Sequence, residues 1–410
     1  MKKSLINKVL ILLLVVGLIS AASPNRQVRG ADLCVNPGGT DGCYATIQEA
    51  IDAAAADGDT ITVAAGTYTL TSTINISKSV TLLGPQANID PRPSFGSART
   101  EGSANEAIID GNGALGTLIN VDASNVVING FEITNGTGDL VASSNSSIKT
   151  DVYIGYNMIH EATGDEGLQL RKVSNAMVEY NYVYNTKGDG LNLSSSSDSI
   201  IQYNELTLTN IPNDTNAAIY VSNDGNPTVM NITIKGNYVH GTNYHGIAVG
   251  NISGSSDQAI TGGNVLNNVV DNVGGECIRI GTSNSAVKWN AVSNCGQYGI
   301  FVSRSPDMVL IERNIITSST QGGVGVGYNL NGSNHKPTNV TVLKNQITGN
   351  IGPALVVTPN VVNTVNAENN WWGDASGPVT GDVVGNATYI PWCTEPGCGD
   401  ISIYLPLMFK

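Results

Sequence analysis

The sequence predicts an all-β fold, a single-stranded parallel β-helix closed at its N-terminal end by a capping helix. Three observations predict it: an asparagine that returns about every two dozen residues, an aliphatic triad that follows each asparagine, and the lack of amphipathic helices between them. Short strands at such a period bury their apolar columns only by stacking turn upon turn, which makes a solenoid.

The asparagines stand at 157, 181, 204, 237, 264, 290, 314, 345 and 369. Two positions after them come Ile159, Val183, Leu206, Val239, Leu266, Val292, Ile316, Ile347 and then Trp371. Three positions before the first eight of them the residues are aliphatic, with Thr261 as the polar exception. The triads are LQL, LNL, IYV, IAV, IRI, IFV, VGV and LVV, beginning at 168, 191, 219, 247, 278, 300, 324 and 355. Their alternation is that of a strand with one buried face. The offset from asparagine to triad is 10 in five repeats and 11, 15 and 14 in the others, so extra residues fall in loops such as NIPNDT, 210–215. Stacked side-chain amides can hydrogen-bond along the coil, so the asparagine column is read as structural.

The ends follow the same logic. Residues 45–59 carry a capping box, Thr46 with Glu49, an apolar face of Ile47, Ala50, Ile51 and Ala54, and Gly58 as the expected stop. A helix over about 45–57 would cover the open end of coils running from about 60 to 372. Trp371 and Trp372 are expected to close the other end. Residues 85–107 form a polar insertion able to wall a groove.

Lys2, Lys3 and Lys8 flank the apolar run 9–19, which leads to Ser20-Ala21-Ala22. This reads as an export signal over 1–22 and is too short to span a bilayer. It precedes a β-helix domain over 23–380 and a tail, 381–410, whose ISIYLPLMFK is similar to the short C-terminal sorting or anchoring segments of some secreted bacterial proteins and reads equally as a final strand on the coil. The expected location is extracellular or the cell surface, with no integral membrane segment. In an exported chain the six cysteines are candidates to pair: Cys34 with Cys43, Cys393 with Cys398, and Cys277 with Cys295. Zinc is not expected, since there is no CxxC and His160, His240, His245 and His335 lack ligand spacing.

The formal charge is −13, and three units more negative once the signal lysines are removed. Such a field repels nucleic acid, and it repels uronate polymers unless a cation bridges them.

The column two places before each triad reads Glu166, Asp189, Ala217, His245, Glu276, Tyr298, Gly322 and Pro353; the next column is uniformly small. Stacking puts Glu166 within ~5 Å of Asp189, and His245 two turns from Asp189, at ~10 Å. Glu166, Asp189, His245, Glu276 and Arg279 are the candidate catalytic groups. Gln169, Asn192, Tyr220, Tyr244 and Tyr298 are the candidate substrate-binding groups. Together they suggest a stripe for a polysaccharide or cell-surface glycan. The alternative is a non-catalytic surface or matrix protein whose rigid coil is itself the function.

The segment 46–84, the asparagine-centred repeats and NNWWGDASGP (369–378) resemble the right-handed parallel β-helix, or pectin-lyase-like, superfamily over roughly 45–380. The resemblance implies the fold; superfamily members include lyases, hydrolases, esterases and proteins without catalysis. Its polygalacturonase-like hydrolases carry N-T-D-G, D-D, G-H-G and R-I-K on successive coils. This chain offers NTKGDG (185–190), NAA (216–218), YHG (244–246) and IRIG (278–281). That maps Asp189, His245 and Arg279 onto acidic, histidine and arginine site positions, but Asn216 and Ala217 replace the paired aspartates and Gly281 the lysine. A lyase would need an acidic calcium cluster, and no stacked acidic triplet is visible in the repeat; calcium is the one cofactor left open.

Overall fold

The computed structural model describes residues 32–55, 57–208, 216–223, 229–250, 261–327 and 336–399. The expected signal (1–22), the loop 210–215, His335 and the YLPLMFK tail lie outside the described residues. Three long parallel sheets of 14, 12 and 11 strands run the length of the molecule, and every strand pairs with the strand one coil away. One coil consists of a strand in the 14-stranded sheet, an asparagine corner, a strand in the 11-stranded sheet, a corner of small residues, and the triad strand in the 12-stranded sheet. Met177–Glu179, Asn181, Tyr182–Tyr184 and Leu191–Ser194 show the pattern. A single apolar core runs up the centre from Val35 to Trp372.

Nine buried asparagines form the corner ladder: 157, 181, 204, 237, 268, 290, 314, 345 and 370. In each step the Oδ1 of one asparagine accepts from both the backbone N–H and the Nδ2 of the asparagine below. Asn204 Oδ1, for example, accepts from Asn181 N and Nδ2, each at 3.0 Å. Seven members are those expected; Asn268 replaces Asn264 and Asn370 replaces Asn369. The correction removes three irregularities. Three places before Asn268 stands the buried Val265 rather than Thr261, and the IRI triad follows after 10 residues instead of 14. Two places after Asn370 stands Trp372, which is buried in the core, whereas Trp371 is only half-buried and bridges to Gln346.

The residue before each ladder asparagine is left-handed. Tyr156, Tyr180, Tyr203, Asn267, Trp289, Arg313, Lys344 and Asn369 all have φ between 52° and 57°, and Gly236 has 64°. Holding a non-glycine residue there costs about 1–2 kcal/mol. The corner therefore depends on the amide ladder and on the core beneath it.

At the N-terminal end the helix Ile47–Ala53 forms behind the expected capping box: Thr46 Oγ1 accepts from Glu49 N, and Glu49 Oε2 accepts from Thr46 N. Ile47, Ala50, Ile51 and Ala54 face the coil and are buried. Gly58 is not the stop. The helix ends at Ala54, whose extended backbone leads out, and Lys78 Nζ from the next coil donates to Asp52 O and Ala54 O, both at 2.7 Å. Gly58 lies inside the following strand, Asp57–Val63. At the far end the sheets continue through Val383–Val384 and Ala387–Thr388. No helix among the described residues is long and apolar enough to cross a membrane. All three cysteine pairs form disulfides, Cys34–Cys43, Cys277–Cys295 and Cys393–Cys398.

The insertion 85–107 does not wall the triad face. It lies on the outward side of the 11-stranded sheet, tied down by polar bonds to that sheet. Arg99 pairs with Glu106 and donates to Tyr156 O, Ser94 donates to Glu205, and Gly102 N donates to Glu132. His160 and His240 approach the same carboxylates, Glu132 at 3.3 Å and Glu205 at 3.1 Å.

Candidate functional site

The outward positions of the triads form one column, Gln169, Asn192, Tyr220, Ala248, Arg279 and Phe301, each in register with the next. Three places before them run the corner residues Glu166, Asp189, Ala217, His245, Glu276 and Tyr298. The small column between is required by close approach: a Cβ on Gly167, Gly190 or Gly246 would lie 2.9, 2.8 or 2.5 Å from the carbonyl oxygen at the same place on the next coil. With that column pressed against its neighbours, the corner residue before it is turned outward.

The predicted site residues fall into two groups. In the first, Asn192 Nδ2 donates to Asp189 Oδ2 at 2.7 Å and to Glu166 Oε1 at 3.4 Å, while Ala217 N donates to Asp189 Oδ1 at 2.8 Å. Burial pushes the Asp189 carboxyl up to about 7 against the pull of those two donors, and the charges of Asp165 and Asp139 add to the rise. Glu166 is raised further, by burial and then by Asp165 and Asp139 beside it. Such environments are how a carboxylic acid stays protonated near neutral pH.

In the second group His245 Nδ1 meets the Glu276 carboxylate and also accepts from Glu276 N at 3.2 Å. Glu276 thus approaches one ring nitrogen with both its carboxylate and its backbone N–H and fixes the orientation of the imidazole. Burial raises the Glu276 carboxyl, but the hydrogen bond and charge of His245 and the charge of Arg279 outweigh it and leave it below its ordinary value. Tyr244 packs edge-on against His245, and Tyr298 stacks on Phe301 at 5.2 Å. Arg279 lies over that ring and donates from Nε to Ser303 Oγ at 3.2 Å.

Tyr220 lies between the groups and covers Ala217 and Ala248. The sequence places this tyrosine among the candidate substrate-binding groups; its packing over Ala217 is set by the fold. Two further contributors were missed. Gly275 has no side chain because a Cβ there would sit 2.5 Å from His245 Nδ1; a glycine pair at 274–275 was the available signal. The second is an acidic triplet: Asp139, Asp165 and Glu166 each place a carboxylate oxygen within 4.8 Å of the others. A further group, Glu101, His160 and Glu161, meets the same criterion on the 11-stranded sheet. There His160 is already engaged with Thr134 and Glu132.

A stacked parallel coil carrying one polar stripe defines the class of right-handed β-helix proteins, and the right-handed β-helix region matches at residues 218–380. The chain belongs to the rhamnogalacturonase A/epimerase, pectate lyase-like family, which matches residues 30–243, just over half of it. No curated protein matches. Solved structures share the fold. The A-module of mannuronan C-5 epimerase AlgE6 from Azotobacter vinelandii is 17% identical with a TM-score of 0.60, over 84% of this chain and 94% of that one. The polygalacturonase from Erwinia carotovora ssp. carotovora is 11% identical with a TM-score of 0.52, over 88% and 97%. PfbA, a surface adhesin of Streptococcus pneumoniae, is 13% identical with a TM-score of 0.53, over 80% of each chain. At these identities the likeness is one of fold.

Proposed function

We propose that the protein is exported, binds a polysaccharide across the outward face of the 12-stranded sheet, and cleaves it by acid–base chemistry with Asp189 as proton donor and His245 as proton acceptor. The observation that carries this reading is the pairing of two buried titratable groups two rungs apart on one outward column, with a tyrosine ring between them. Asp189, protonated near neutral pH, would give its proton to the glycosidic oxygen as the C–O bond breaks. His245, gripped by Glu276, would take a proton from the attacking water or from the carbon beside a uronate carboxyl. The step leaves Asp189 as carboxylate and His245 as imidazolium, and a proton passing from His245 to Asp189 by way of solvent would restore both before the next turnover. Arg279 and the Tyr220 ring would orient the sugar. The names of the epimerase and the polygalacturonase that share the fold agree with a glycan substrate. Six paired cysteines suit an oxidising compartment outside the cytoplasm.

A second reading, adhesion without catalysis, is favoured by Ala217, which occupies the place where a paired-carboxylate hydrolase needs its second acid. One experiment separates the two. The purified protein is incubated with neutral and acidic glycans, and retention, new reducing ends and the absorbance of an unsaturated uronate are followed. Cleavage supports the first reading, retention alone supports the second, and neither retention nor cleavage with any glycan overturns both.

A further inference from the structure

The insertion 85–107 and the 11-stranded sheet meet at a histidine that the proposed stripe does not use. His160 is 1% exposed and stands on the strand Met158–Ala162. Its Nε2 lies 3.3 Å from Glu132 Oε1, and both oxygens of that buried carboxylate also accept from Gly102 N in the insertion. An ionised carboxylate only accepts, so in the neutral ring Nε2 carries the hydrogen and Nδ1 keeps its lone pair. Nδ1 faces two more carboxylates, Glu101 of the insertion at 4.0 Å and Glu161, the next residue in the chain; one donor atom of each of the three lies within 4.8 Å of the others. Glu161 is an exception at its corner. Its φ is 59°, and the same place on other coils is left-handed too but holds Asn135, Asn185, Gly241, Asn272 and Asn294, residue types that tolerate this conformation. Adjacent strand residues point to opposite faces, and the left-handed turn is what brings the Glu161 carboxylate round beside His160.

We propose that Glu101, His160 and Glu161 form a zinc site that clasps the insertion to the coil, on the sheet away from the glycan stripe. An imidazole nitrogen with two carboxylates suits zinc, whereas calcium and magnesium take oxygen donors. Each ligand has the outer hydrogen bond that orients metal-binding side chains: His160 with Glu132, Glu101 with the Tyr184 hydroxyl at 2.9 Å, and Glu161 with the Thr134 hydroxyl at 3.5 Å. Thr134 Oγ1 also lies 3.1 Å from His160 Nδ1, and it keeps Glu161 as an acceptor when the metal takes that nitrogen. Ligand atoms about 2.1 Å from one zinc stand roughly 3.4 Å apart, so Glu101, whose side chain is 55% exposed, closes by less than about 1 Å. Glu161 also lines a cleft with Thr163 and Lys187, which gives the ion a way in. Histidine spacing along the chain has no bearing on such a site, because one ligand comes from the insertion and only one is a histidine.

The test uses chelator-treated full-length protein titrated with zinc chloride in a calorimeter and melted with and without the ion. One saturable equivalent is expected, together with a rise in Tm and slower proteolysis of 85–107 that calcium chloride does not reproduce at equal concentration. Glu161→Asn installs the residue of the two neighbouring coils, so without metal it should melt no lower than the parent. It and Glu101→Gln should each bind zinc at least tenfold more weakly, while His240→Gln, which removes the other histidine against the insertion, binds as the parent does. Absence of saturable zinc binding, binding by Glu161→Asn as tight as the parent's, or a loss in His240→Gln as large as in Glu101→Gln would overturn the proposal. No glycan enters the experiment, so the polysaccharide reading stands or falls separately.

Discussion

Replacing Asp189 by asparagine removes one buried charge while keeping the shape of the side chain. In the native protein its two oxygens accept from Ala217 N and Asn192 Nδ2, and the carboxyl is nevertheless raised from 3.8 to about 7. A rise of about three units at 1.36 kcal/mol each corresponds to about 4 kcal/mol. Because the folded form holds the proton more tightly, this stability is fully present below about pH 4 and is lost as pH rises to about 7. The variant has no such proton to lose. Urea midpoints of wild type and Asp189→Asn, measured side by side from pH 4 to pH 8 with a chelator present, should diverge in the variant's favour by an amount worth up to about 4 kcal/mol. Comparing two proteins at each pH cancels the other carboxyls. Glycan cleavage by the variant should fall by about 10²–10⁴-fold. A gap between the midpoints that is the same at pH 4 and pH 8 would refute the claim that Asp189 is a desolvated acid.

The remaining predictions concern the frame that holds it. Asn204→Leu takes the side-chain acceptor from Asn181 N and one of three acceptors from Asn181 Nδ2, and removes the amide donor to Val178 O, and should cost about 3 kcal/mol in a denaturant melt. Gly275→Ala places a methyl group against His245 Nδ1; cleavage should fall with Asp189-dependent stability unchanged, and an unperturbed His245 ring resonance in NMR would count against it. Replacing Cys277 and Cys295 together by alanine opens an 18-residue loop and should lower stability by roughly 3 kcal/mol, read as a lower Tm. Glu205→Gln weakens the bonds from Ser94 and His240, so limited proteolysis should nick the insertion 85–107 faster than in wild type.

The repeat by itself determined the architecture. Asparagine, inward aliphatic and triad recur within each coil, and each coil buries its apolar columns in the same way as its neighbours, so a local pattern is enough to specify a solenoid. The helix cap was equally legible, since a capping box joins residues three apart. Only the tertiary structure decided what meets across coils. Asn264 keeps a more even count than Asn268, and Asn369 and Asn370 stand side by side, but hydrogen-bond register rather than even counting selects the ladder, and residues between coils absorb the difference. The left-handed corners left no trace in composition, because Tyr, Trp, Arg and Lys occupy them under the pull of the ladder and the core. The insertion 85–107 chose the 11-stranded sheet through Glu132 and Glu205, residues on coils far along the chain from it. Asp139 reaches Asp165 and Glu166 because corners stack directly, at a separation no single repeat displays. Contacts within one turn are written in the chain; contacts between turns depend on where each loop takes up its slack.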